Sequence, residues 1–206
     1  DISNRLKIFC SEHHTSIFVF GLTVVQLVLS SFARQRHVLV GTTLSNRIHT
    51  DFEPIIGYLS NLLPVVTEIV PTENFIQLMK RQTLLIMQMI EFQDYSISEI
   101  ISGLGLKSKT KGLPLINVFV DMVTKNYKTG TMGLDELQLQ EQPCPNISRK
   151  FDMGFRFAEK RDALELQVEY DPSLFADTTI NRIHRQIAMV TENVLNEPAI
   201  TIGDIE

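Results

Sequence analysis

Apolar residues recur along the first third of this chain at the spacing of amphipathic helices. Residues 2–12 place four apolar side chains on one face: Ile2, Leu6, Phe9 and Cys10. Residues 16–32, "SIFVFGLTVVQLVLSSF", are apolar almost all round, which predicts a central helix covered on several sides. Thr15 or Ser16 is a suitable N-cap for that helix.

Three further helices are predicted later in the chain. One opens at Pro71 and Thr72, and its inner stripe is Phe75, Leu78, Met79, Leu85, Ile86, Met89 and Ile90. Ser96 and Glu99 form a capping-box pattern for a short helix that Gly103 and Gly105 end. The last helix is capped by Asp177 or Thr178, and its stripe is Ile180, Ile183, Ile187, Val190 and Val194.

Elsewhere the pattern indicates strands. "HVLVGTT" from His37 reads as a buried strand, and residues 44–70 read as a turn, a short helix and a strand. "LPLINVFVDM" is another buried strand. "KFDMGFRFAE" places Phe151, Met153, Phe155 and Phe157 on one face, and it pairs with "ALELQVEY" through the loop "EKRD". These elements predict a mixed α/β (α+β, two-layer) domain over residues 1–206.

Composition narrows the possible partners. The net charge is −5, and the one basic cluster, "LKSKTKG", is short, so we expect no nucleic acid partner. Residues 16–32 contain polar side chains and are short for a span, so we expect a buried helix and no membrane. Two cysteines without a CxxC pattern favour the reducing cytoplasm. The chain starts without methionine inside a helical pattern, so we expect a piece of a longer protein.

Common catalytic templates are not found in the sequence. There is no G-x-S-x-G, no phosphate loop ending in GK[ST] and no H-E-x-x-H, so we expect no metal site. Asn61, in contrast, interrupts the apolar stretch "IIGYLSNLLPVV". A buried amide needs hydrogen-bond partners, so Asn61 either ties two segments together or faces a solvent-filled passage, and by itself the tie is favoured.

The order of six segments resembles the second half of the condensation domains of nonribosomal peptide synthetases. The segments are "HVLVGTTLSNR", "IIGYLSNLLP", "FQDYSISEI", "LPLINVFVDM", "KFDMGFRFAE" and "LELQVEYDPSLF". The corresponding stretches of that family read like VGTPVANR, IGFFVNTLPLR, HQDYPFE, NPLFQVMFV, KFDLTL and LEYNTDLF. A stand-alone acetyltransferase of the chloramphenicol type suits the length, but such enzymes have HHxxxDG within their own chain.

The resemblance implies a lobe similar to chloramphenicol acetyltransferase. Two such lobes would enclose a tunnel in which donor and acceptor thioesters are joined by an amide bond. Residues 1–206 would be the C-terminal lobe, with a crossover segment at about residues 123–149. The implied partners are the N-terminal lobe and carrier protein domains, whose phosphopantetheine arms would bring the substrates, and no cofactor of the chain's own is implied.

The resemblance also assigns residues. Asn61 matches the asparagine of IGxFVN, near the tunnel centre, and this match outweighs the simple tie. The GTPxxNR match adds four tunnel-lining residues: Gly41, Thr42, Asn46 and Arg47. The structural motifs contribute Gly57, Gln93, Asp94, Tyr95, Lys150 and Asp152, with Phe151 between the last two.

The family's catalytic motif HHxxxDG belongs to the first lobe. "HHTSIFV" matches it only at His13 and His14, because Phe18 replaces the aspartate and Val19 the glycine. We therefore interpret the two histidines as the exposed end of a helix, predict no catalytic residue in this chain, and expect the chain alone to be inactive.

Several motif positions depart from the family. Val66 replaces an arginine, Phe92 replaces the histidine before QDY, and Ser96 and Ile97 replace Pro-Phe. These departures raise an alternative hypothesis, a degenerate condensation-like module that binds carrier or partner proteins without catalysis.

Overall fold

Pairs of helices and groups of strands follow one another along the chain, before a last single helix. The computed structural model describes residues 2–47, 49–106, 114–124, 150–159 and 163–205. The helices are α1 (Ile2–Glu12), α2 (Ile17–Ala33), α3 (Phe75–Glu91), α4 (Ile97–Gly103) and α5 (Asp177–Asn196). The strands are β1 (His37–Leu44), β2 (Asn61–Glu68), β3 (Val118–Thr124), β4 (Met153–Glu159) and β5 (Leu164–Tyr170). The mixed α/β class predicted from the pattern is confirmed.

The five described strands form one mixed sheet in the order β2-β1-β3-β4-β5. The central strands β1, β3 and β4 are parallel, while β2 and β5 are antiparallel edge strands. The predicted pairing of β4 with β5 is confirmed, although residues 160–162 of its loop lie outside the described residues. Residues 123–124 of the predicted crossover belong to β3, and residues 125–149 lie outside the described part of the chain.

The core lies on one face of this sheet. Helices α1, α2, α3 and α5 pack their apolar side chains there, against alternate strand residues such as Val40, Val65, Val120 and Phe155. Helix α2 is the centre of this layer, because every residue from 19 to 28 is buried. The prediction of a central helix covered on several sides is therefore confirmed.

Among the described residues, no single helix has the length and apolarity to cross a bilayer. The consecutive helices α1 and α2 pass such a test only together, and they bend by 104° at their break.

Two predicted helix starts were wrong, and in both cases the cap is the reason. Helix α3 begins at Phe75 rather than at Pro71, because Asn74 and Gln77 form a reciprocal capping box. Helix α5 is preceded by Ala176, which offers no side-chain cap, and the Asp177 carboxylate instead accepts a hydrogen bond from the Tyr170 hydroxyl. The predicted caps Ser16 and Ser96 are confirmed.

Two predicted inward residues also point elsewhere. Ile90, in the last turn of α3, is exposed, and the inner stripe of α3 includes Gln82, which is fully buried. Phe151 precedes β4 and stacks on Phe119, with ring centroids 4.8 Å apart, on the face of the sheet opposite to Phe155. Alternation therefore does not extend to Phe151, because the strand begins only at Met153.

The paired histidines follow the end of α1. His13 closes the last turn through its backbone and packs against the Phe9 ring, with ring centroids 4.5 Å apart. His14 is exposed and adopts a left-handed backbone, with φ of 51°. The pair marks a helix end, as predicted.

Candidate binding site at the end of the β1–β2 hairpin

The second face of the sheet is more open than the core face. Its middle row runs across all five strands and consists of Pro64, Gly41, Phe119, Gly154 and Glu169. Along β2 the same face continues to Val66, whose side chain is 52% exposed. We call this surface the open face.

A segment that precedes β3 covers part of the open face. Ile116 is buried there, and a Cβ atom built on Gly41 would lie 2.5 Å from its Cγ2 atom. Gly41 is therefore needed for a close approach between β1 and Ile116.

The other half of the open face is charged. Asp121 and Arg156 are register partners on β3 and β4, and the Arg156 guanidinium lies 3.7 Å from the Glu169 carboxylate on β5. The open face thus changes from apolar at β1 and β2 to charged at β4 and β5.

A long loop, residues 45–60, joins β1 to β2 at one end of the sheet. Asn46 adopts a left-handed backbone with φ of 52°, a conformation that asparagine tolerates better than most residues. Arg47 then donates from Nη1 to the carbonyl oxygens of Phe52 and Glu53. The guanidinium thereby holds the loop's 3-10 turn, Thr50–Phe52, next to the strand end.

The tip of this loop presents apolar side chains to solvent. Ile56 is fully exposed, Tyr58 is 81% exposed, and Ile55 is also exposed. Large apolar side chains rarely cluster on an exposed surface. Three of them within four residues therefore indicate a contact surface.

Asn61 lies where the loop enters β2, opposite Leu44 in register. Its Nδ2 atom donates to two backbone carbonyls of the α3–α4 connection, 2.8 Å from the oxygen of Gln93 and 2.6 Å from that of Tyr95. Gln93 is itself buried, and its Nε2 atom donates to the Ile90 carbonyl at the end of α3. The amide therefore connects β2 to the α3–α4 connection.

Helix α4 begins directly after this connection and holds it from the other side. The Ser96 hydroxyl accepts a hydrogen bond from the Glu99 backbone, and the Glu99 carboxylate accepts bonds from the Ser96 hydroxyl and backbone N–H. These bonds lower the pKa of the Glu99 carboxyl, the side-chain bond most.

Ser96→Ala is expected to destabilise the N-terminus of α4. We expect the pKa of Glu99 to rise toward its ordinary value, and the free energy of unfolding to fall by about 1 kcal/mol for the lost cap. Because folding lowers the pKa of this carboxyl, its contribution is present above the ordinary pKa and is lost as the pH falls through the lowered one. NMR titration and urea unfolding measure both effects. The same change at exposed Ser102 is the control, and equal results for the two variants would contradict the expectation.

An apolar groove of about 330 Å³ lies beside the Asn61 tie. It is lined by Leu63, Pro64, Gln88, Met89, Phe92, Tyr95 and Ile100. Phe92 and Tyr95 are largely exposed at this groove, so it opens to solvent next to the backbone that holds Asn61.

Comparison with known proteins now defines the family. The family model described as "Condensation domain" matches residues 1–206. The chain belongs to the condensation domain family. Surfactin synthase subunit 2 of Bacillus subtilis (strain 168) is 25% identical over 205 residues, which are 100% of this chain and 6% of that protein.

Solved structures support the same fold. The X-domain in a complex with OxyB from teicoplanin biosynthesis superposes with a TM-score of 0.86 at 20% identity, over 100% of this chain and 45% of that chain. A four-domain nonribosomal peptide synthetase bound to AMP and glycine gives a TM-score of 0.83 at 14% identity, over 100% of this chain and 17% of that chain. The chain thus spans less than half of the solved chains and a small fraction of the curated relative that it matches.

Three of the five residues predicted to line a tunnel lie together at one end of the sheet. Asn46, Arg47 and Asn61 all lie where the hairpin β1–β2 meets its loop. Gly41 lies on the open face, three residues before the end of β1 at Leu44. Thr42 points to the opposite, helix-covered side, where its hydroxyl is buried with no hydrogen-bond partner among the described residues.

The predicted structural residues are divided between the two ends of the sheet. Gln93, Asp94 and Tyr95 lie at the Asn61 end, and the two carbonyls bound by Asn61 flank Asp94. Lys150 and Asp152 lie at the start of β4, where the Asp152 N–H donates to the Asn117 carbonyl. From the β-strand register, this is roughly 16 Å from the Asn61 end along the strands, five residues at about 3.3 Å each. Gly57 lies in the exposed loop with no atom near its missing Cβ.

Two features of this region were not predicted from the sequence. Ile116 over Gly41 is a contact between distant segments, and no local pattern indicates it. The exposed tip of the 45–60 loop could have been suspected, because the adjacent Ile55 and Ile56 sit in a loop next to Pro54 and Gly57.

Away from this end of the sheet, we considered the described cysteine and the side chains that could bind a metal ion. Burial raises the pKa of the Cys10 thiol to about 11, so this cysteine is protonated near neutral pH. No group of three His, Cys, Asp or Glu side chains in the described ranges is arranged to hold a metal ion.

Proposed function

We propose that this chain is the C-terminal lobe of a nonribosomal peptide synthetase condensation domain. In the longer protein it forms one wall of a tunnel in which two carrier-bound thioesters are joined by an amide bond. The substrates arrive on the phosphopantetheine arms of carrier protein domains, no cofactor of the lobe's own takes part, and the protein works in the cytoplasm.

The observation that supports this proposal most is the arrangement at the end of the β1–β2 hairpin. The exposed apolar loop tip lies within a few residues of Asn61, whose oriented amide sits on the helix-covered side of β2, beside the apolar groove. An N-terminal lobe that packed on the loop tip would bury Ile56 and Tyr58 and would enclose Asn61 between the two lobes. The lobe interface would then become the reaction tunnel.

Such a tunnel acts mainly by proximity. Holding two thioesters together makes bond formation effectively unimolecular, which is a larger effect than general-base assistance from one side chain. The lobe described here therefore contributes to the rate by positioning substrates, and the base belongs to the other lobe.

The test uses the full-length protein and amide formation between carrier-bound aminoacyl thioesters, followed by mass spectrometry. Ile56→Asp is expected to reduce the rate at least about tenfold, because a carboxylate placed in an apolar lobe interface loses its hydration without gaining a partner. Residues 1–206 alone are expected to form no amide.

Leu174→Asp is the matched control. Leu174 is also an exposed aliphatic residue, but it lies in the turn between β5 and α5, away from the loop tip. The proposal predicts an unchanged rate for this variant. Equal rates for Ile56→Asp and Leu174→Asp, or amide formation by residues 1–206 alone, would contradict it.

A second candidate function is a condensation-like module that binds partner proteins without catalysis. Val66 and Phe92 are both more than half exposed and apolar where the family motifs have arginine and histidine. The X-domain of similar fold was solved in a complex with OxyB. The sequence that precedes residue 1 in the full-length protein distinguishes the candidates, because an intact HHxxxDG favours catalysis and a broken one favours partner binding.

A further inference from the structure

The side chain of Asn61 is held in one orientation. A primary amide has two N–H donors on nitrogen and one acceptor oxygen. Nδ2 faces the carbonyl oxygens of Gln93 and Tyr95 at 2.8 and 2.6 Å. The atom that faces these two carbonyl oxygens must be a donor. A flipped amide would place the acceptor Oδ1 against two other acceptors.

Both donors of this amide are therefore used inside the protein. Within the described part of the chain, no hydrogen bond to Oδ1 accompanies the two from Nδ2. Asn61 is only half-buried, so Oδ1 keeps lone pairs for a ligand. The side chain can accept one further hydrogen bond but has no N–H left to donate.

The two carbonyls are fixed on both sides, which makes the orientation rigid. The buried Gln93 side chain ties the connection to the end of α3, and the capping box of Ser96 ties it to the start of α4. A ligand would therefore find the acceptor already oriented, without an ordering cost for the side chain.

We propose that Asn61 is a specificity-determining hydrogen-bond acceptor that binds an N–H group of the substrate through Oδ1. This inference rests on the proposed tunnel function and adds the chemistry of the contact. The recognised group is an N–H donor, either the amine of the acceptor substrate or an amide of the phosphopantetheine arm. A thioester carbonyl or a developing oxyanion is excluded as the partner, because both would need a donor.

The experiment measures dissociation constants with the full-length protein by ligand-detected NMR. The probe is the glycine thioester of N-acetylcysteamine, which carries both an amine and an arm-like amide. Asn61→Ala is expected to weaken binding about three- to tenfold, the usual size of one hydrogen bond. Asn196→Ala, which changes an exposed asparagine on α5 bound to Arg5, is expected to have no effect.

Two probe analogues identify the source of the N–H. In one an ester oxygen replaces the amide N–H of the arm, and in the other acetyl replaces glycyl and so removes the amine. The loss caused by Asn61→Ala should disappear with one of these analogues, and that analogue lacks the group that Asn61 binds. A loss of full size with both analogues would overturn the proposal.

Asn61→Asp separates this role from a structural one. At low pH the introduced carboxyl is protonated, so its O–H can donate to a backbone carbonyl while its C=O accepts from the probe. At high pH the carboxylate is repelled by the two carbonyl oxygens and attracts the ammonium of the probe, so the affinity relative to the unsubstituted protein should change as the introduced carboxyl titrates. An affinity ratio that does not change with pH would contradict the proposal.

The outcomes also separate this inference from the proposed function. If the unsubstituted protein does not bind the probe, both fail. If it binds and Asn61→Ala leaves the dissociation constant unchanged, the inference alone fails and the tunnel proposal stands.

Discussion

Gln26→Leu is expected to lower the free energy of unfolding by about 2–4 kcal/mol, because it breaks a polar network inside the apolar core. Gln26 is fully buried in α2, and its Nε2 atom lies 3.5 Å from the Val38 carbonyl and 3.3 Å from the Val65 carbonyl. Its Oε1 atom accepts hydrogen bonds from Thr67 and Gln82. The network thus joins α2, α3 and the strands β1 and β2.

The loss of stability comes mainly from the buried polar groups that lose Gln26 as a hydrogen-bond partner. After Gln26→Leu, the buried Gln82 amide keeps only its bond to the Thr67 hydroxyl, and its Oε1 atom already has no partner among the described residues. A buried polar group without a partner keeps its full desolvation cost.

Urea unfolding of four variants tests this account: the two single changes, their combination and a control. Gln26→Leu together with Gln82→Leu should cost less than the sum of the single changes, because the second change removes the group that the first leaves unpaired. Gln35→Leu, at an exposed glutamine just after α2, is the control and should be close to neutral. Strict additivity of the two core changes would show that the glutamines do not act as a network.

Gly41→Val is expected to cost about 2–3 kcal/mol through overpacking. The added Cβ would lie 2.5 Å from Cγ2 of Ile116 and 3.2 Å from Cδ1 of Leu62. Ile116 is buried, so it has little room to move. The substitution would therefore displace Ile116, the side chain that covers the open face next to the proposed tunnel.

Gly154→Val provides a matched control in the same row of the sheet. The nearest atom to a Cβ at Gly154 is the Cβ of Glu169, at an ordinary 3.9 Å. Replacing glycine in a strand should then be neutral or stabilising by about 0.5–1 kcal/mol, because glycine loses more backbone entropy on folding. Thermal unfolding of both variants measures the difference, and equal shifts would show that the contact with Ile116 does not determine the cost.

The helical spacing predicted more of the fold than of the site. The stripe of α5 and the apolar surface of α2 indicated their buried sides correctly, because a helix that is apolar all round must be covered all round. The same spacing passes through Gln82, which falls between Met79 and Ile86 on the inner stripe of α3. The helical periodicity alone would have predicted that position 82 is buried. Glutamine is usually exposed, however, so the residue type favoured the opposite prediction.

Helix starts were less predictable, because competing caps lie within a few residues of each other. Pro71 and Asn74 are both good starting residues, and only the hydrogen bonds that Asn74 and Gln77 exchange decide between them. Asp177 is a good cap by residue type. In the folded chain, however, its carboxylate accepts a hydrogen bond from the Tyr170 hydroxyl of β5.

The sequence alone determined the fold class, the apolar sides of the main helices and the segment order by which the family was recognised, because these depend on local periodicity and on short motifs. The tertiary structure alone decided what Asn61 can do. From the sequence, its amide was either a tie or a tunnel-lining group, and the structure shows the tie, with both N–H groups given to carbonyls more than thirty positions away in sequence. Those bonds leave only the acceptor Oδ1 for a ligand, and no local pattern contains that information, because it arises from the meeting of β2 with the α3–α4 connection.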